Sequence, residues 1–185
     1  MAKTKHFLVS NGNTKMGRMM IWSIPAGDTC PGRSDACFTA CYARKGRFVQ
    51  KNVKEAYVRN LEAAENEHFV EWMIEEVHRR NEKLFRIHTA GDFYSPEYTE
   101  KWIEIARACP DVKFYCYTRS WRIPSILAEL LEFRRLPNVR IWFSIDKETG
   151  FPSRRYKRIR YAYMQIGTDD IFADGKMIFG KYLVF

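Results

Sequence analysis

From residue 85 to residue 145 the chain alternates between short apolar runs and amphipathic helical patterns, and this alternation limits the fold more than any other feature. Phe85-Arg86-Ile87-His88-Thr89, Val112 to Tyr117 and Val139 to Ile145 are rich in β-branched and aromatic residues and short enough to be strands. Between the first two, Ser95-Pro96 supplies a capping hydroxyl followed by a proline suited to the first helical position, and Pro110 stops the helix. Between the second and third, Pro124 to Arg135 carries Ile126, Leu127, Leu130, Leu131 and Phe133 on a helical period, and Pro137 follows its end. Strand, helix, strand, helix, strand implies parallel strands joined by right-handed crossovers.

Upstream, His6 to Val9 and Arg18 to Ser23 read as two short strands around the turn-rich SNGNTKMG, an N-terminal hairpin. Asn52 to Glu82 contains no Gly or Pro and is strongly helical, with a break into two helices expected near Asn66. Ile159 to Gln165 reads as one more strand. About five strand–helix units fit this length, fewer than the eight of a complete barrel. The expected fold is therefore α/β, a partial or distorted TIM-like (β/α) barrel, with an open doubly wound sheet as the alternative. Either architecture gathers chemistry at the C-terminal ends of its strands. With 185 residues, 46% of them hydrophobic, one domain spanning 1–185 with one core is expected. No apolar run is long enough for a membrane span or a signal peptide, so a cytoplasmic protein is expected (host cytoplasm, if phage-encoded).

The chemistry concentrates in a loop between about residues 24 and 46. Its cysteines, Cys30, Cys37 and Cys41, are separated by six and then three residues. If Phe38 begins a helix, Cys37 and Cys41 share a face, and the Pro31-Gly32 turn returns Cys30 toward them. Clustered cysteines in a reducing compartment point to metal rather than disulfides. Three thiolates suit an iron–sulfur cluster, of which [4Fe–4S] is the first choice, with zinc as the alternative. Arg33, Arg44 and Lys45 are expected to lower the thiol pKa values. Cys116, near the end of a strand, is the candidate fourth metal ligand; an open position, His88 or Asp92 are the other possibilities. Cys109, at the far end of its helix, reads as structural.

Two further segments carry possible function. His88, Gly91 and Asp92 end a strand and could orient a ligand, although Asp92 and Ser95 could equally cap the next helix. Ser153 to Tyr161 interleaves Arg154, Arg155, Lys157 and Arg158 with tyrosines. With a net charge of +9, that pattern suits single-stranded DNA, or it is a solvated loop.

The motifs TCPGRSDACFTACYARKGRF, RIHTAGDFYSPEY and VKFYCYTRS together resemble the phage and plasmid gene product 88 family. Some members of that family are associated with rolling-circle replication. The resemblance spans Ile21 to Ile145 and implies Cys30, Cys37 and Cys41 as cluster ligands and His88, Gly91 and Asp92 as the second-strand motif. It implies no particular reaction. The position of Cys116 is often a small residue in the family. Many members also carry later cysteines that this chain lacks, so a second metal site is not expected. The layout is also similar to that of the radical S-adenosylmethionine enzymes, which bind a cluster through three cysteines after the first strand. Those enzymes hold the methionine amino group with a Gly-Gly-Glu turn after the second strand, where this chain has Ala90-Gly91-Asp92. Their usual cysteine spacing, three and then two residues, differs from the one here. Three function classes follow: a cluster protein without assigned reaction, a radical S-adenosylmethionine-like enzyme, and a zinc-stabilised binder of single-stranded nucleic acid.

Overall fold

A computed structural model of the protein describes residues 7–12, 17–153, 156 and 159–164, and the backbone of 182–184. Among the described residues seven strands form one sheet in the order of the chain: β1 (Ser10–Asn11), β2 (Met20–Trp22), β3 (Leu84–Ile87), β4 (Lys113–Thr118), β5 (Val139–Ile145), β6 (Arg160–Tyr163) and β7 (Tyr182–Val184). β1 runs antiparallel to β2, pairing Ser10 with Ile21 and Asn11 with Met20; β2 through β7 are parallel. The expected hairpin is present, with its first strand at Ser10–Asn11 rather than ending at Val9. The last parallel strand, β7, had no counterpart in the sequence reading.

The helices are α1 (Asp35–Ala40), α2 (Lys51–Glu65), α3 (Phe69–Arg80), α4 (Pro96–Ala108) and α5 (Pro124–Phe133). The long helical pattern does break at Asn66. Ser95 caps α4 by accepting the Tyr98 N–H at 3.1 Å, with Pro96 at the first position. A doubly wound sheet would reverse its strand order at a switch point. This one never reverses, so same-handed crossovers carry successive helices to one face. The packing agrees. Trp102 of α4 meets Phe85 of β3, Trp22 of β2 and Phe69 of α3, while Phe133 of α5 meets Phe93.

Period-two alternation then sorts each strand. Phe85 and Ile87, Phe114 and Cys116, and Ile141 and Phe143 lie in register on the helix-covered side and form the core. Arg86, Tyr115, Tyr117, Arg140 and Trp142 take the other side. Truncating a buried ring such as Trp102 would cost about 3–5 kcal/mol. At the C-terminal edge the strand ends are tied to one another: the His88 N–H donates to Trp22 O at 2.9 Å and the Ile24 N–H to Ala90 O at 3.1 Å. That edge is where the cysteine loop begins.

Candidate metal centre

The cysteine loop leaves β2 and is held by backbone contacts to the ends of β3 and β4. The Asp92 N–H donates to Thr29 O at 3.2 Å, and the Arg122 guanidinium donates to the carbonyls of Gly32 and Arg33, both at 3.1 Å. Two glycines permit the approach. A Cβ on Gly32 would stand 2.1 Å from the Arg119 carbonyl oxygen. At Gly91, with φ +78°, a Cβ would meet Ile24 Cγ1 at 2.3 Å.

The helix begins at Asp35, earlier than expected. Cys37 therefore sits in its first turn and Cys41 is its C-terminal cap. Ser34 caps it, accepting the Cys37 N–H at 3.0 Å, and the Glu148 carboxylate accepts the N–H groups of Asp35 and Ala36 at 3.3 and 3.2 Å. Cys30 occupies the preceding turn, its N–H donating to Gly27 O at 3.0 Å. All three thiols are partly exposed.

The thiols lie in one another's fields. Burial, with the charges of Asp92, Cys37 and Cys41 adding to it, pushes the Cys30 thiol up to about 12. Burial also raises Cys37, against which Arg119 acts to lower it. The loop cations play other parts. Arg33 and Arg44 sit over the Phe38 ring, 4.9 and 3.8 Å from its centroid, and donate to the carbonyls of Gly27 and Phe38. The cation that favours the Cys37 thiolate is thus Arg119, on the β4 end, and not the Arg33, Arg44 and Lys45 group expected from the sequence. Among the described residues no three His, Cys, Asp or Glu side chains close around a single ion position.

Cys116 is set apart from this group. Its register opposite Ile87 and Ile141 turns it to the helix-covered side, where it is fully buried. Burial, with help from Asp92, holds its thiol well above the usual range. Cys109 is buried at the opposite end of the sheet, its sulfur 3.9 Å from His78 Nε2.

His88 likewise turns inward. Its positive φ of 66° follows the end of β3, and its ring packs edge-on to Phe93 at 4.8 Å. Tyr98 Oη accepts the Trp22 indole N–H at 2.9 Å and shares a hydrogen bond with His88 Nε2, also at 2.9 Å. Burial depresses the imidazole to about 3, with Arg86 acting in the same direction. The ring is therefore neutral, and its buried Nδ1 meets no partner among the described residues. Asp92 is buried too. Its carboxylate accepts the N–H groups of Phe93 and Arg119, both at 2.8 Å, tying the end of β3 to the end of β4. Burial raises its pKa, opposed chiefly by the Thr118 hydroxyl and the Arg119 and Phe93 N–H groups. The helix cap is left to Ser95 alone.

A buried ion pair completes the site and was not singled out in the sequence. Arg119, after β4, pairs with Asp146, after β5; the two are 4% and 2% exposed. Ser34 donates to Asp146 at 2.6 Å and accepts from Arg119 at 3.0 Å, so the pair fixes the cap of the Cys37 helix. Thr149 closes the Asp146 turn with hydrogen bonds of 2.8 and 2.9 Å. The available signal was position: both residues directly follow strands whose C-terminal ends carry the site. Arg154, Arg155, Lys157 and Arg158 lie outside the described residues.

The loop, the strand-end motif and the Thr-Arg-Ser turn thus form one assembly. The gene product 88 family model matches residues 3–179. The chain belongs to this family. It is 32% identical to the Gene 88 protein of Mycobacterium phage L5, over 93% of this chain and 75% of that protein. The Gene 88 protein of Mycobacterium phage D29 is 30% identical over the same shares. No solved structure matches the chain. No helix among the described residues is long and apolar enough to cross a membrane.

Proposed function

We propose that this family member is an iron–sulfur protein in which Cys30, Cys37 and Cys41 hold a [4Fe–4S] cluster at the C-terminal mouth of a partial (β/α) barrel. What supports the reading is the placement of Cys30 in a turn, Cys37 in the first turn of α1 and Cys41 at its cap, all three partly exposed in the loop that packs on the strand ends. The donor set fits the group: three soft thiolates, each able to take a different iron, with the Arg119 guanidinium offsetting negative charge at Cys37. Cys116 is assigned to the core, which leaves a three-cysteine cluster with one iron open to another ligand. Because the metal-free thiols of Cys30 and Cys37 hold their protons, loading releases them.

A second reading, that the open iron belongs to a radical S-adenosylmethionine-like enzyme, has its own support. The six parallel strands run in unbroken order, the cysteines follow the first of them, and Ala90-Gly91-Asp92 follows the second. When bound, such a cluster supplies an electron to the sulfonium. The residues of this chain shape the mouth around it: Gly91 lets the strand end approach the loop, and Asp92 fixes the β4 turn that carries Arg119.

Anaerobic reconstitution tests both readings. Brown protein with iron and sulfide in equal amounts supports the cluster; colourless protein with stoichiometric zinc and no sulfide overturns it. A change in the reduced cluster's electron paramagnetic resonance on adding S-adenosylmethionine supports the enzyme reading. An unchanged signal removes that reading and leaves the cluster in place.

A further inference from the structure

The sheet face turned away from the helices combines positive charge with flat aromatic surface. Arg86, Tyr115 and Arg140 stand in one cross-strand row, and Tyr117, Trp142 and Arg160 in the next. Arg140 and Arg160 are exposed, and the other four are half-buried. The rings and guanidiniums interleave. Tyr117 lies 5.3 Å from Trp142 at 30°, Arg86 is 5.4 Å over Tyr117, and Arg160 is 5.9 Å over Trp142. Arg140 donates to the carbonyls of Pro137 and Val139, neutral acceptors that leave its charge in place. A sheet that only needed solvation on this side would be served by short polar residues. Three arginines among three aromatic rings cover it instead, on a chain of net charge +9.

We infer that this face binds single-stranded nucleic acid. The guanidiniums would take successive phosphates while unpaired bases stack on Tyr115, Tyr117 and Trp142; a duplex hides its base faces and cannot use the rings. The site is distinct from the Arg154–Arg158 segment considered from the sequence, and it does not depend on the metal. The face ends beside the cysteine loop: the Tyr42 hydroxyl, next to Cys41, donates to Thr89 O at 2.6 Å, just beyond the end of the strand that carries Arg86.

The test uses the full chain and fluorescence anisotropy with labelled oligothymidylate and oligouridylate of about 15 nucleotides, beside a duplex of equal length. Single strands are expected to bind, losing affinity about 20-fold between about 50 and 200 mM salt if three phosphates are neutralised. Whichever of the two strands binds more tightly identifies the natural sugar. Trp142→Ala is expected to weaken binding about 5- to 100-fold without flattening the salt dependence. Arg140→Glu with Arg160→Glu is expected to weaken it at least about 10-fold and to flatten that dependence to about 3-fold. Both positions are exposed, so this variant keeps the fold, which a thermal melt verifies. Absence of single-strand binding at low salt, equal binding of duplex, or wild-type affinity in the double variant would each overturn the inference. Loss of binding only on replacing Arg154, Arg155, Lys157 and Arg158 with alanine would overturn it as well.

Discussion

The Arg119–Asp146 pair offers the sharpest quantitative test of how the cysteine site is held. Both partners are almost wholly inaccessible to water, and Ser34, Ser144 and Thr149 occupy much of their remaining hydrogen-bonding capacity. Replacing Arg119 with Met leaves a buried carboxylate with hydrogen bonds but no counter-charge. Replacing Asp146 with Asn leaves a buried guanidinium in the same position. Each single change is expected to cost about 3–5 kcal/mol, a large share of the roughly 5–15 kcal/mol that a domain has in total. On heating this corresponds to a fall of about 6–20 °C in Tm for a chain of this length. The double variant, with no orphaned charge, is expected to recover about 2–3 kcal/mol relative to the sum of the singles. Urea denaturation of the four proteins at neutral pH gives the cycle directly. Single-variant losses under about 1 kcal/mol, or strictly additive losses, would refute the reasoning, because the pair would then behave as a solvated surface bridge. The loss should also reach function: with Ser34 no longer fixed by the pair, Cys37 loses its helix cap and cluster loading falls.

Three other perturbations separate the roles assigned above. Alanine at Cys30, Cys37 or Cys41 is expected to abolish iron and sulfide uptake, whereas Cys116→Ala leaves the visible spectrum unchanged and lowers stability by about 1 kcal/mol. His88, with a folded pKa of about 3 against 6.5, binds its proton more readily when unfolded, so its contribution to stability is full above 6.5 and is lost as pH falls toward 3. That sign predicts a loss of about 2 kcal/mol between pH 7 and pH 5, and His88→Asn, which tolerates the positive φ, should remove this part of the slope; identical pH profiles would contradict the assignment. Gly32→Ala drives a methyl against the Arg119 carbonyl and is expected to cost about 2 kcal/mol or more while reducing cluster loading, read by urea melts and iron analysis.

Much of this protein was legible because its signals are local. A cap at Ser95, prolines at 96 and 124, the break at Asn66 and the strand–helix alternation each reside in a few contiguous residues, and the structure places them where they were read. The β7 strand was missed because Tyr182–Val184 is too short to carry a period.

What the tertiary structure decided is which way side chains face and what stands opposite them. Alternation along β4 gives Cys116 two possible faces, and only the register with Ile87 and Ile141 turned it into the core. The left-handed backbone at His88 rotated a presumed site residue onto Tyr98 and Phe93, an outcome fixed by core packing. Asp146 lies 112 residues from Ser34 in the chain, and no local pattern links them. They meet because each follows or precedes an element packed at the same edge of the sheet. Motif chemistry is written in short spans, whereas the electrostatics of the cysteine mouth arise from strand order, which brings distant loop ends within bonding distance.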